Sequence, residues 1–327
     1  MKPAQGPAPR VSVILPTCGR EALVVECLRS ILAGDFGDFE VLVVDQDPAR
    51  TLPGALAVAF PGQERIRYFW VDVMALDRAR NEGLDHARGE ILVFADDDIE
   101  VDRGWLRAYV EAFASSPTPG AVAGRLDPRW LEGRPAWLPD AREYLLGIYN
   151  RLPDGALSIL PGEQLPIGAN FAALRSVAAA AGRFDEAMDF SYARRASMIS
   201  GGDSLFCLRI KRAGHPLVYQ PAARAWHKIS RRKLTRRWFV RRMFWDGFTS
   251  VSMLHRAGSA TRSEAAPSRR KDRGSVLRWA RRILFDPARG GPSAPAGRRL
   301  MQAAGECANS LGVIWASLRL RLTGTLP

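Results

Sequence analysis

The sequence predicts an α/β fold with a mostly parallel central sheet flanked by helices. Two observations carry this. From Val11 to Phe94, short apolar runs rich in β-branched residues alternate with segments whose apolar residues recur at helical spacing. Two of those runs end in aspartate at what this alternation makes the same end of the sheet: 41–44 in Asp45, and 91–94 in Asp96, Asp97 and Asp98 after Ala95. The length of 327 residues, with 47% hydrophobic and 25% charged residues, allows one large or two smaller globular domains.

Residues 1–10 contain Pro and Gly and are expected to be unstructured. Residues 11–15 read as a strand closed by Pro16 and Thr17. A helix follows over 21–33, where Leu23, Val24, Cys27, Leu28, Ile31 and Leu32 share one face, and Gly34 and Gly37 end it. The second strand is 41–44. A loop rich in Pro and Gly leads to a third strand at 66–71, then a helix at 76–87 and a fourth strand at 91–94. A helix at 103–115 buries Trp105, Leu106, Tyr109, Val110 and Phe113, and 121–124 is a short strand.

The pattern weakens over 126–165, which carries Trp130, Trp137, Tyr144, Tyr149 and several prolines. It reads either as a loop and short helix packed by aromatics or as a variable wall that receives a substrate. Helices at 176–181 and 204–213 follow, the second opened by Gly201, Gly202 and Asp203 and capped by Gly214, then a short strand at 217–219. Past Lys228 the composition changes. Arg231, Arg232, Lys233, Arg236, Arg237, Arg241 and Arg242 surround Trp238, Phe239, Val240, Phe244 and Trp245. Residues 256–275 read as a polar basic linker, and 279–285 and 300–322 as helices.

Three adjacent aspartates at a strand end repel one another unless a cation shares them. A magnesium-type ion, which favours one or two carboxylates plus substrate phosphates, is one occupant. The alternative is a solvated acidic turn that caps the next helix. Asp45 on a neighbouring strand joins them into one crevice at the carboxyl end of the sheet, where open α/β folds bind ligands.

The formal net charge is +13. The four cysteines, Cys18, Cys27, Cys207 and Cys307, have no paired short spacing, which excludes a disulfide scaffold or a zinc site and fits a reducing cytoplasm. No signal peptide and no apolar window of the ~20 residues needed to span a membrane are legible. The expectation is a cytoplasmic protein, peripheral on the inner membrane face. Residues 228–245 read either as a solvated helix face or as an amphipathic segment laid on anionic lipid. The charge also suits nucleic acid, but no recognition helix or stacking sheet motif accompanies it, so no nucleic acid partner is expected.

Four blocks in order resemble the inverting, family-two glycosyltransferases of GT-A fold: VSVILPTCGR, FEVLVVDQDP, ALDRARNEGLDHARGEILVFADDD, and PIGANFAALR with GRFDE and GGDSLFCLRIKRAGHPLVYQPAARAWH. The likeness runs from Val11 to about His227. It implies a nucleotide-sugar-binding half at 11–125, an acceptor-binding half carrying the catalytic base at 126–227, and a basic helical C-terminal extension at 228–327. Pro16 and Thr17 would line the nucleotide pocket. Asp45 would bond the base, with Arg80 near it. Asp96 and Asp98 would form the Asp-Xaa-Asp pair for ribose, diphosphate and a Mg or Mn ion, with His227 reaching the metal, and Asp203 would be the general base. Asp97 is read as a bystander.

The implied activity is transfer, with inversion, from a nucleotide-diphosphate sugar (UDP first, dTDP or GDP next) to a saccharide or lipid-linked acceptor. Two departures stand out: Gly202 where the family usually has Glu, and Asp45-Gln46-Asp47-Pro48 in place of Asp-Asp-Gly-Ser. The first leaves open a catalytically weak scaffold that binds nucleotide sugar or membrane. A sugar nucleotidyltransferase would need a richer glycine loop than Thr17-Cys18-Gly19-Arg20. A dinucleotide oxidoreductase would need Gly-Xaa-Gly-Xaa-Xaa-Gly, which is absent.

Overall fold

The computed structural model describes residues 7–115, 117–150, 152, 155, 157–160, 164–188, 197–257, 296–323 and 325–326. The helix expected at 279–285, most of the linker at 256–275 and residues 1–6 lie outside them. The chain divides into two compact units. The first comprises Met1–Arg129, Tyr149–Arg194 and Gly202–Lys228; the second comprises Trp130–Ile148, Arg195–Gly201 and Ile229–Pro327.

The first unit begins with the expected alternation: β1 (Val11–Thr17), α1 (Glu21–Leu32), β2 (Phe39–Asp45), α2 (Leu52–Ala59), β3 (Ile66–Trp70), α3 (Leu76–His86) and β4 (Ile91–Ala95). β3, β2, β1 and β4 lie side by side in that order and are parallel. Both faces of this sheet are covered, which is why its strands are largely apolar, with Ser12, Glu40 and Arg67 as polar members that bond one another. On β4, Ile91, Val93 and Ala95 join Val24, Leu28, Trp105 and Tyr109 on one side. Leu92 and Phe94 join Val177, Phe206 and Ile210 on the other. Phe94 stacks on Phe171 with centroids 4.5 Å apart. Burying each such side chain contributes about 1.5–3 kcal/mol. Pro16 is tolerated inside β1 because pairing with β4 ends at Ile14, so no partner there needs the missing N–H.

Beyond β4 the sheet changes sense. β5 (Ile99–Val101), α4 (Trp105–Phe113), β6 (Ala121–Trp130), β7 (Ser158–Ile159), β8 (Asn170–Leu174), α5 (Arg175–Ala181), α6 (Gly202–Arg212) and β9 (Leu217–Ile229) follow along the chain. β8 runs antiparallel to β4 and β6, and β5 and β7 run antiparallel to β9. Among the described residues these nine strands form one sheet. Asn170 ties β8 in place: its side-chain oxygen accepts from Trp105 Nε1 and Tyr109 Oη, both at 2.8 Å, and its amide donates to the carbonyls of Arg125 and Ala223.

Several elements exceed the sequence expectation. The loop expected between β2 and β3 contains α2, because Pro53 falls in the first turn of a helix, where its missing N–H costs nothing. β5 and β8 are strands that the pattern did not announce. β9 extends ten residues past the expected 217–219, through Pro221.

The second unit holds a 3-10 turn (Asp140–Leu146) and two long helices, α7 (Arg236–Arg256) and α8 (Ala296–Thr323). Their backbones touch. A β-carbon at Gly247 would overlap the Asn309 carbonyl, and one at Gly312 would overlap the Phe244 carbonyl. The aromatic residues that alternate with arginine over 238–245 serve this packing. Phe239 and Met243 are buried against Met301 and Ala308, and Trp238, Phe244 and Trp245 are partly buried in the same unit. The expected lipid-facing aromatics of 228–245 therefore point largely inward.

Candidate active site

In the first unit, the strand order reverses between β1 and β4, and that switch point opens a crevice at the carboxyl ends of the strands. Thr17 closes β1 opposite Asp45 of β2, and Asp96, Asp97 and Asp98 leave β4 beside it. Pro16 and Thr17 are themselves buried. The Thr17 hydroxyl donates to Asp97 Oδ2 at 2.5 Å.

Asp97 is the fully buried member of the three, and Arg20 Nη2 lies 2.7 Å from its Oδ1. Burial raises its pKa well above the usual carboxylate value, with Asp98 adding to the rise, while Arg20 and Thr17 oppose it. Arg20 also bridges to Asp98 Oδ2 at 3.3 Å. Asp97 is thus a structural tie between β1, the start of α1 and the aspartate turn rather than a bystander. Arg20 was not singled out from sequence; a basic residue directly after the β1 turn was the available signal.

The turn runs straight into β5, and β5 pairs with β9 so that Ile99 faces His227. This register brings His227 Nε2 to 3.2 Å from Asp98 Oδ1, with Lys228 N–H donating to the Asp98 carbonyl at 2.9 Å. Both side chains are almost buried. Asp96 points the other way and is partly open; its Oδ1 lies 3.5 Å from Arg80 Nη2.

Arg80 is a buried cation on α3 and the hub of the second half of the crevice. It holds Asp77 at 3.0 Å and lies over the Phe184 ring. Burial opposes its charge, but Asp77, Asp96 and Asp203 together outweigh that and hold it above the ordinary arginine value. Asp203, in the first turn of α6, accepts the Gly168 N–H through Oδ2 at 2.6 Å. A β-carbon at Gly168 would come within 2.5 Å of Arg80 Nη2 and 2.7 Å of Asp203 Oδ2, so glycine is what lets this backbone pass. A β-carbon at Gly202 would overlap the carboxylate of Asp77. Asp77 is the second residue that sequence reading left out.

At the far side of the crevice, Asp45 is buried. Its Oδ1 accepts the Asp47 N–H at 2.9 Å and its Oδ2 accepts the Tyr68 hydroxyl at 3.0 Å. Burial raises its pKa despite those bonds. Arg50 stacks on Trp70, its guanidinium carbon 3.4 Å from the ring centroid. Among the described residues, no group of three or more His, Cys, Asp or Glu side chains forms a metal cluster. The donors available on this turn are Asp98, with His227 beside it, and Asp96, which faces Arg80; a hard cation held by one or two carboxylates takes its other oxygens from a diphosphate and water.

Residues 12–181 match Glycosyl transferase family 2. The chain belongs to this family.

Among family relatives, glucosyl-dolichyl phosphate glucuronosyltransferase of Haloferax volcanii is 24% identical over 177 residues, which cover 54% of each chain. GalNAc(5)-diNAcBac-PP-undecaprenol beta-1,3-glucosyltransferase of Campylobacter jejuni is 32% identical over 105 residues, covering 32% of this chain and 34% of the relative. The matched stretch thus spans about half the length of the first and a third of the second. The solved mannosyltransferase of Pyrobaculum calidifontis, in complex with GDP-Man and Mn2+, superposes with a TM-score of 0.55 at 19% identity, over 98% of this chain and 77% of that one. GalNAc-T7 with UDP, GalNAc and Mn2+ gives 0.54 at 16% identity, over 83% and 54%. These likenesses establish the GT-A fold.

Proposed function

We propose that this family-two protein is an inverting glycosyltransferase that moves a sugar from a nucleoside-diphosphate donor to an acceptor hydroxyl. The single observation that carries the reading is the Arg80 hub, which sets a partly open carboxylate of the aspartate turn, Asp96, on one side and the carboxylate of Asp203 on the other. The crevice end at Asp45, Pro16 and Thr17 is assigned to the nucleoside. Asp96 and Asp98, with His227, would hold a Mg or Mn ion, which when bound neutralises the diphosphate as a Lewis acid.

Asp203 then stands as the base. The acceptor hydroxyl loses its proton to the carboxylate as its oxygen bonds the anomeric carbon, and the bond from that carbon to the diphosphate oxygen breaks. One in-line displacement inverts the centre. The Gly168 N–H fixes the carboxylate's orientation.

A UDP-sugar is the first donor to test, with dTDP and GDP next; GDP-Man and UDP both occur in the solved relatives. A lipid-linked saccharide is a fitting acceptor, since the relatives' names carry dolichyl phosphate and PP-undecaprenol. Peripheral membrane location belongs to the same reading; among the described residues no helix is long and apolar enough to cross a membrane. A thermal-shift screen of nucleotide sugars with Mn2+ tests it. Stabilisation by sugars of one nucleotide class is the expected result, and no shift with any of them contradicts the reading.

A further inference from the structure

Among the described residues, the second unit carries an apolar face that its own packing does not use. α8 buries Met301, Ala308 and Ala316 against α7. Beside that buried face, Leu300, Leu311, Ile314, Trp315, Leu318 and Leu322 are each between 45% and 83% exposed. Counted from Leu311, they fall 3, 4, 7 and 11 residues on and 11 residues back. That spacing lines them up on one side of a helix along nearly its whole length. Single exposed leucines are ordinary, whereas six in one stripe mark a contact surface.

The stripe runs into an open cavity of about 620 Å3, where Phe244, Met301 and Leu311 are accompanied by Arg236, Arg237 and Arg241. All three arginines are exposed. Arg319 lies over the Trp315 ring, 5.8 Å from its centroid, and Arg321 is exposed two residues further on.

We propose that this face docks on an anionic phospholipid surface, with the α8 stripe entering the interfacial layer and the arginines meeting lipid phosphates. The charge decides between this occupant and a second copy of the chain. The sole acid in α8 is Glu306, and it is ion-paired with Arg142. Two copies joined through the stripe would bring Arg319 and Arg321 of each together, with the one acid of α8 already ion-paired, which disfavours a helix pair. A negatively charged bilayer complements the same arginines. An apolar stripe containing tryptophan and flanked by arginine is what a helix lying in the membrane interface presents. The proposal places the apolar contact on α8 rather than on the aromatics of 228–245, which the α7–α8 packing consumes. It deepens the peripheral membrane location of the proposed function, and its failure is distinguishable from that of the transferase reading because vesicle binding and nucleotide-sugar turnover are measured separately.

The test is co-sedimentation of the full chain with vesicles of phosphatidylcholine alone and of phosphatidylcholine with an equal share of phosphatidylglycerol. Binding to the anionic vesicles is expected to be at least about ten-fold tighter and to weaken with salt, since each arginine near such a surface contributes roughly five-fold. Leu311→Ser with Leu318→Ser, and separately Arg237→Glu with Arg241→Glu, are each expected to weaken it by about ten-fold or more. All four residues are exposed, so the unfolding midpoint should stay in place and a loss of binding can be read as such. Equal binding to both vesicle types, or unchanged binding by the leucine variant, overturns the proposal. So does a dimer in sedimentation velocity that the leucine variant turns into a monomer, which would give the face to a second copy.

Discussion

Asp77 and Gly202 are fitted to one another: the Asp77 carboxylate fills the space in which a β-carbon at position 202 would sit. Glycine stands at 202 where the resemblance leads to an expectation of glutamate, and the Asp77 carboxylate from α3, held by Arg80 at 3.0 Å, occupies the space beside it.

This pairing makes a sharp prediction about substitution. Gly202→Glu alone should destabilise the protein by about 1–3 kcal/mol or more, since it overpacks a filled site and sets two acids together. Adding Asp77→Gly should recover most of that loss. Urea unfolding of the two single variants and the double variant measures the coupling; strictly additive effects would separate the two residues.

Asp203→Asn should keep nucleotide-sugar binding and lower transfer by about 10²–10⁴-fold, the usual contribution of a positioned base. The amide can still accept the Gly168 N–H through its oxygen, so the local fold should hold. Donor affinity by calorimetry alongside the turnover rate separates the two effects. Equal rates in mutant and wild type would move the base to another residue.

Glu40 sets an acid-side limit on stability. Burial pushes its carboxyl up, but bonds from Arg88, Arg67 and Ser12 outweigh burial and hold it below its ordinary 4.5. A carboxyl depressed by folding contributes stability that is present above its unfolded value and lost as pH falls through its folded value. Glu40→Gln should therefore cost about 1–3 kcal/mol at neutral pH, with the gap to wild type closing only below about pH 4.5. A gap that stayed constant into strong acid would show that the ion pairs do not carry it.

The first half of the fold was legible because β1, β2 and β4 are buried along their whole length and so read as largely apolar runs. β8 was hidden because Asn170 to Leu174 is short, rich in alanine and sits against the α5 segment. β9 was hidden because Pro221 interrupts it. The site's carboxylates were legible as residue types at strand and helix ends. Arg20 was not, because Asp97 and Asp98 are remote in sequence, and neither was Asp77, whose ion pair with Arg80 is local but whose fit to Gly202 joins two distant helices. Arg20 meets Asp98 across 78 positions, and nothing local to either residue announces the contact. The place of His227 depends likewise on the β5–β9 register, which no local pattern displays. The membrane reading of 228–245 followed real amphipathicity, but which apolar face stays exposed was decided by glycines that let α7 and α8 close on each other.

The central claim is that the aspartate turn serves a cation-dependent nucleotide-sugar site. Release of nucleoside diphosphate from a panel of nucleotide sugars, with Mn2+ and with excess chelator, tests it most directly, in wild type and in Asp98→Ala. The account expects release from at least one donor that requires the cation and falls by about 10²-fold or more in Asp98→Ala, the scale of losing one preorganised electrostatic group. Full-rate release in chelator, or an undiminished rate in Asp98→Ala, would contradict it.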